Sequence, residues 1–229
     1  MSKVLDEPDF RNRIGVFVDR LHAGELLSEK LRRYANTDDT IILSIPAGGV
    51  QVAVVVANRL NLPLDLAITR KIHVPWNKEA GFGALSWNGL ILLNEPLVAS
   101  LGLSAEDVRR CVAVEREIVE RRVELFRGNK PFPNLNNKNV IIIDDGLASG
   151  FSLLTTVKAV KQNRTKELIV AVPTASISAI NLLRSDVDQI ICLNIRSGAY
   201  FAVADAYKNW YDLHDKDVIR LLKHVAQNI

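Results

Sequence analysis

The sequence predicts an α/β fold, a mostly parallel open sheet flanked by helices, formed as a single domain over residues 1–229. Short β-branched or aliphatic runs recur at residues 40–45, 64–69, 140–143, 167–172 and 189–193. Stretches with apolar residues at helical spacing separate them, and glycine- or proline-bearing turns join the two kinds of segment. Strands that alternate with helices in this way belong to parallel sheets with crossover helices.

The first helical pattern covers residues 17–34 and is broken by Asp38 and Asp39. The run at 40–45 follows, and Pro46-Ala47-Gly48-Gly49 turns the chain into a helix at 50–60. Residues 61–63 end that helix, and 64–69 reads as the next strand. Between Arg70 and Glu95 the texture changes, because glycines, His73, Pro75, Trp76 and Trp87 interrupt any long period. Residues 82–87 and 90–94 alternate about Asn88-Gly89, which signals a hairpin. A long amphipathic helix is expected over 104–126, with Ser104 as N-cap and Glu106 and Asp107 favouring its first turn. An Asn- and Pro-rich linker at 128–139 leads to the strand at 140–143 and a helix at 153–162. The chain closes with a strand at 167–172, a helix at 176–183, a strand at 189–193 and a helix at 215–226.

Bulk properties narrow the partners. The net charge is +3 and the Lys and Arg residues are scattered, so neither nucleic acid nor a membrane surface is the expected partner. Cys111 and Cys192 have no metal-ligand spacing and read as buried, reduced thiols. The first ten residues lack the basic-then-apolar order of a leader, and no apolar run has the length of a membrane span. A cytoplasmic protein is expected, and apolar helix faces leave a homodimer open.

The most informative stretch is Val140-Ile141-Ile142-Ile143-Asp144-Asp145-Gly146-Leu147-Ala148-Ser149-Gly150-Phe151-Ser152. Four aliphatic residues form a buried strand, and two carboxylates stand where it ends. The loop that follows carries two glycines and two hydroxyls and opens directly into a helix. Backbone N–H groups in such a loop make a phosphate cradle. Carboxylates beside an anion site must face hydroxyls or a cation, so a sugar phosphate fits the arrangement. Open parallel sheets bind ligands beyond the carboxyl ends of their strands. That rule gathers Pro46-Ala47-Gly48-Gly49, Arg70-Lys71 and residues 144–152 onto one edge.

The thirteen-residue stretch resembles the phosphoribosyl-diphosphate (PRPP) motif of type I phosphoribosyltransferases. The resemblance implies that Asp144 and Asp145 contact the ribose hydroxyls, directly or through water on a bound Mg²⁺. It implies that Gly146, Leu147, Ala148, Ser149, Gly150, Phe151 and Ser152 wrap the 5′-phosphate. Pro46, Ala47, Gly48 and Gly49 resemble the pyrophosphate loop, which in this family often carries a basic residue before the glycine pair; Ala47 stands there instead. Arg70 and Lys71, with Lys78 and Glu79 nearby, resemble the cation-bearing region that neutralises the diphosphate and shares in catalysis under a flap, here residues 70–95. The strings Asp19-Arg20-Leu21-His22-Ala23-Gly24 and Trp210-Tyr211-Asp212-Leu213 extend the likeness to a little-characterised branch. The fold so implied has a variable hood, built from the N-terminal segment, the flap region or the C-terminus.

The resemblance implies Mg²⁺-dependent transfer of the phosphoribosyl group to a nucleobase or amine, with PRPP and a small-molecule acceptor or nucleotide as partners. Ala148 replaces the Asp that serves the purine in some 6-oxopurine enzymes. A sensor that binds PRPP or a nucleotide without turnover is the alternative, motivated by Ala47. Synthesis of PRPP would need an ATP site, and no Walker-type loop is present. Gly81, Gly83 and Gly89 lack the spacing of a dinucleotide-binding turn.

Overall fold

The computed structural model describes residues 2–198 and 200–226, with side chains for all of these except residues 78, 79 and 224–226. The expected flap neighbours Lys78 and Glu79 therefore lie outside the described side chains. In chain order the strands are β1 (Lys3–Leu5), β2 (Thr40–Ser44), β3 (Leu64–Leu66), β4 (Thr69–Val74), β5 (Asn77–Ser86), β6 (Ile91–Leu93), β7 (Asn139–Ile143), β8 (Glu167–Ser176) and β9 (Gln189–Arg196). The helices are α1 (Arg20–Lys30), α2 (Gly48–Leu60), α3 (Glu95–Ser100), α4 (Ala105–Arg127), α5 (Phe151–Val160), α6 (Ile177–Leu183) and α7 (Asp215–Ala226).

Six strands form an all-parallel sheet in the order β1-β9-β8-β7-β2-β3, and β4-β5-β6 form a separate antiparallel sheet. Side chains alternate across the main sheet, and each face takes its own set of helices. Ile42, Ile141, Ile143, Ile169 and Leu193 pack with Leu27 of α1, with Leu31 that caps it, and with Val52 and Val56 of α2. Leu43, Val140, Ile142, Val170 and Cys192 pack on the opposite face with Leu153 and Val157 of α5 and Ile180 of α6. A third cluster joins the small sheet, through Ile72, Val74 and Phe82, to Val119 of α4, Val50 of α2 and Val218 of α7.

Local chemistry sets the ends of the elements. The helix expected from residue 17 begins at Arg20, because the Asp19 carboxylate accepts the His22 N–H at 2.9 Å and caps the first turn. Phe17 is instead bridged to Tyr207. Ser104 and Asp107 complete a reciprocal capping box at the start of α4. The turn at Asn88-Gly89 joins β5 to β6, with Gly89 at φ +84°. One expected strand proves to be two. Leu64–Leu66 pairs with β2, and Ala67 still donates to the Ser44 carbonyl at 2.9 Å. The chain then leaves the main sheet, and Thr69 pairs with Ser86 in the antiparallel one. Arg70 and Lys71 thus lie inside a strand rather than in the loop after one. The short elements β1 and α3 carry too little periodicity to have been expected. Cys192 is buried as expected, whereas Cys111 is partly exposed, and neither forms a disulfide. Among the described residues no helix is long and apolar enough to cross a membrane.

Helices α1 and α2 touch at Gly24. A Cβ there would stand 2.9 Å from the Val52 carbonyl oxygen and 2.8 Å from the Val55 Cβ. Alanine gains about 1 kcal/mol of helix preference over glycine, but overpacking costs about 1–3 kcal/mol, and backbone atoms yield little. Gly24→Ala should therefore lower stability, by up to about 2 kcal/mol, as a reduced urea midpoint.

Candidate active site

β2 and β7 are neighbours in register, with Ser44 opposite Ile143. The loops that leave their carboxyl ends must therefore run side by side. Ile45 donates its N–H to the Ile143 carbonyl at 3.0 Å and extends this pairing one step beyond the strands. Pro46-Ala47-Gly48-Gly49 then crosses directly beside Asp144 and Asp145, and its Pro46–Ala47 peptide bond is cis. A Cβ on Gly48 would overlap the Asp145 carboxylate, and one on Gly49 would lie 2.9 Å from the Asp144 Cα. Only glycine permits this approach.

The loop after the acid pair is held from behind. Leu147 exchanges backbone hydrogen bonds with the end of β8, donating to the Thr174 carbonyl at 3.0 Å and accepting from the Ser176 N–H at 2.9 Å. The Ser176 hydroxyl donates to the Ala148 carbonyl at 2.7 Å. Leu147 puts its side chain in the core, so only its backbone faces the loop's concavity. Ala148 and Ser149 are exposed, Phe151 and Ser152 partly so, and Gly150 takes φ +76° at the N-terminus of α5. The first N–H groups of α5 have no carbonyl within the helix to bond, and with the helix dipole they suit an anion.

The sequence reading missed the nearest cation. Arg20, 3% exposed, donates from Nε to Asp145 Oδ2 at 2.8 Å. Another of its nitrogens donates to the Tyr211 carbonyl at 2.8 Å, and the guanidinium lies 3.8 Å from the Trp210 ring centroid. The Tyr207 hydroxyl donates to the Asp145 carbonyl at 2.5 Å, and Tyr211 hydrogen-bonds Gln51 of α2 through its hydroxyl. The segment from Tyr207 to Tyr211 is thereby tied both to the acid pair and to the helix that follows the glycine loop. The only sequence signals were the strings containing Arg20 and Trp210, quoted above without a role.

Arg70 is placed differently from the glycine loop. Its Nε pairs with Glu115 of α4 at 2.9 Å, and His73 reaches the other Glu115 oxygen at 2.6 Å. Irregular register about His73 brings residues three apart onto one carboxylate. Glu115 is itself buried. These groups and Val74, Pro75 and Val114 line a cleft of about 520 Å³. Lys71 is exposed, and its stem crosses Gly81 so closely that a Cβ there would overlap it.

Burial holds the Asp144 carboxyl well above the usual carboxylate range, and the Asp145 charge pushes the same way. Asp145 is also raised by burial, with Arg20 pulling it back. A carboxyl raised by folding keeps its proton longer in the folded chain than in the unfolded one. Its stabilising effect is complete below the ordinary carboxyl range and is lost as pH rises through the shifted value. Asp144→Asn should flatten that part of the stability–pH profile and raise the urea midpoint of the ligand-free protein at neutral pH.

Comparison with known proteins places the chain in a family. Residues 19–206 match the family model described as the phosphoribosyl transferase domain. A protein of Mycobacterium tuberculosis, provisionally named a phosphoribosyl transferase, is 31% identical over 210 residues, which make up 90% of this chain and 46% of that protein. The chain thus spans about half the length of this curated relative. The crystal structure of TT1426 from Thermus thermophilus is 31% identical, with a TM-score of 0.72, over 91% of this chain and 98% of that one. The AQ2163 protein from Aquifex aeolicus shares the fold at 12% identity and a TM-score of 0.51, over 78% of this chain and 73% of that one. With the match spanning residues 19–206, which include Pro46–Gly49 and Asp144–Ser152, the chain belongs to the type I phosphoribosyltransferase family.

Proposed function

We propose that the chain transfers the 5-phosphoribosyl group of PRPP to a nucleobase or amine, releasing pyrophosphate, with Mg²⁺ as the metal. The observation that carries this reading is the side-by-side placement of the phosphate loop, the acid pair and a glycine loop that only glycine can build. In this reading the N–H groups of residues 148–152 hold the 5′-phosphate, with Ser149 and Ser152 adding hydroxyls. Asp144 and Asp145 orient the ribose through its hydroxyls. The backbone of Ala47, Gly48 and Gly49 faces the diphosphate. The bond from ribose C1 to the diphosphate oxygen breaks with its electron pair leaving on oxygen, and an acceptor nitrogen forms the new bond to C1 and then loses its proton. Positive charge develops on the sugar between these events, and the carboxyl oxygens of the acid pair are the groups that stabilise it.

The donor set suits Mg²⁺. Two adjacent carboxylates offer hard oxygen ligands, while no group of three or more metal-binding side chains occurs among the described residues. Such a site is completed by ligand oxygens, the usual manner of binding Mg²⁺ beside phosphates. Bound there, the ion would neutralise the departing diphosphate.

A sensor that binds PRPP or a nucleotide without turnover is the second reading. Ala47 lacks a basic side chain, and Arg70 is engaged by Glu115. Calorimetric titration of PRPP, followed by pyrophosphate release with a panel of bases and amines, separates the two. Binding with product supports the transferase, and binding without any product supports the sensor. No PRPP binding rejects the transferase, and a nucleotide that still binds then supports the sensor. Asp145→Asn should weaken PRPP by about 10- to 100-fold, the equivalent of about 1.5–3 kcal/mol for a hydrogen bond to a charged group. Unchanged affinity in that variant would remove Asp145 from the site.

A further inference from the structure

The two adjacent carboxylates are not equivalent, and the difference is built by a residue far away in sequence. Asp145 already has a cation: Arg20 Nε lies 2.8 Å from its Oδ2. That guanidinium is buried at 3% exposure, covered by Trp210 at 3.8 Å and anchored to the Tyr211 carbonyl at 2.8 Å. Moving it away would cost the ion pair, the ring contact and a hydrogen bond together. Asp144 makes no ion pair among the described residues; its Oδ1 accepts only the neighbouring Asp145 N–H, at 2.9 Å. A Cβ on Gly49 would stand 3.0 Å from that same Oδ1, so the glycine keeps a side chain off it.

Building on the phosphoribosyl reading above, we infer that Arg20 divides the labour of the pair: it reserves Asp145 for the ribose hydroxyls and leaves Asp144 as the carboxylate that meets the divalent cation. A second cation approaching Asp145 would meet the repulsion of a fixed guanidinium, which in a site with little water is weakly screened. Asp144 offers a carboxyl that makes no ion pair among the described residues, and the ligand's diphosphate would supply the remaining oxygen ligands. Arg20 is then a positioning residue. It touches neither sugar nor diphosphate, and acts by fixing which oxygen is free.

The test is a titration of PRPP with and without Mg²⁺ into the wild-type protein and into Asp144→Asn, Asp145→Asn, Arg20→Gln and Arg20→Lys. Mg²⁺ should tighten wild-type binding by about tenfold, a typical coupling between two ligands. Asp144→Asn should reduce that factor to about twofold or less, whereas Asp145→Asn binds PRPP more weakly yet keeps the Mg²⁺ factor. Arg20→Gln should steepen the Mg²⁺ dependence by freeing the Asp145 oxygen, and Arg20→Lys should restore the wild-type factor. A merely structural role for Arg20 would weaken binding without changing the response to Mg²⁺. Should Arg20→Gln fail to fold, the two aspartate variants decide the matter alone. Where Asp144→Asn binds too weakly to titrate, paramagnetic resonance of Mn²⁺ with PRPP gives the same answer: bound ion with Asp145→Asn and none with Asp144→Asn. Loss of the Mg²⁺ factor in Asp145→Asn overturns the inference and leaves the phosphoribosyl reading intact; wild-type binding indifferent to Mg²⁺ overturns the inference and the metal, and leaves only PRPP as the ligand. No PRPP binding by the wild-type protein under either condition overturns both.

Discussion

The carboxyl edge of the sheet depends on how closely the Pro46–Gly49 backbone can approach the Asp144-Asp145 pair. Adjacent parallel strands in register fix the distance between the loops that leave them, and nothing larger than a hydrogen fits at Gly48 or Gly49. Two backbone turns and two carboxylates are thereby concentrated in a volume that a single added methyl group would fill. Close packing of this kind leaves the surrounding strands little freedom to adjust. The buried aliphatic side chains of β2 and β7 therefore serve the site as much as the core.

Bringing two neighbouring carboxylates into a half-buried crevice is costly unless charge or hydrogen bonds compensate. The molecule compensates one of them. Arg20 reaches Asp145 from the first turn of α1, and the aromatic residues of the C-terminal segment close over the guanidinium. A desolvated cation over an indole is worth about 2 kcal/mol, comparable with a hydrogen bond to a charged group. The same contacts help order the segment from Tyr207 to Tyr211, which is also held by the Phe17–Tyr207 bridge and by the Lys208 and Asn209 N–H groups donating to the Phe17 and Val18 carbonyls.

The main strands and helices were legible in the sequence because their residues obey local periods. The acid pair and the loop that follows it were legible as one contiguous strand–loop–helix string, and the structure builds them so. The split between β3 and β4 was not: residues 64–69 carry an unbroken β pattern, and whether a β-forming residue pairs with β2 or with β5 is decided by distant partners. Arg20 was illegible as a site residue for a similar reason. An arginine in a helix's first turn reads as a solvated charge, and only the tertiary fold shows that 125 positions separate it from the carboxylate it neutralises. Glu115 is the counterpart in α4, one acid among many on a charged helix until the small sheet brings Arg70 and His73 against it.

The aromatic closure over Arg20 has a consequence for how the protein comes into being. Chains emerge from the ribosome amino end first and fold domain by domain as they do. Here Arg20 and Asp145 are made early, yet the residues that cover them follow the last strand of the sheet. A nascent chain that has already assembled the sheet still presents the acid pair and its guanidinium to water, and charge compensation there is weak. The cover over Arg20 is thus added only after the last strand of the sheet has been made, so a chain stopped short of Tyr207 would carry the strands with Arg20 and Asp145 uncovered.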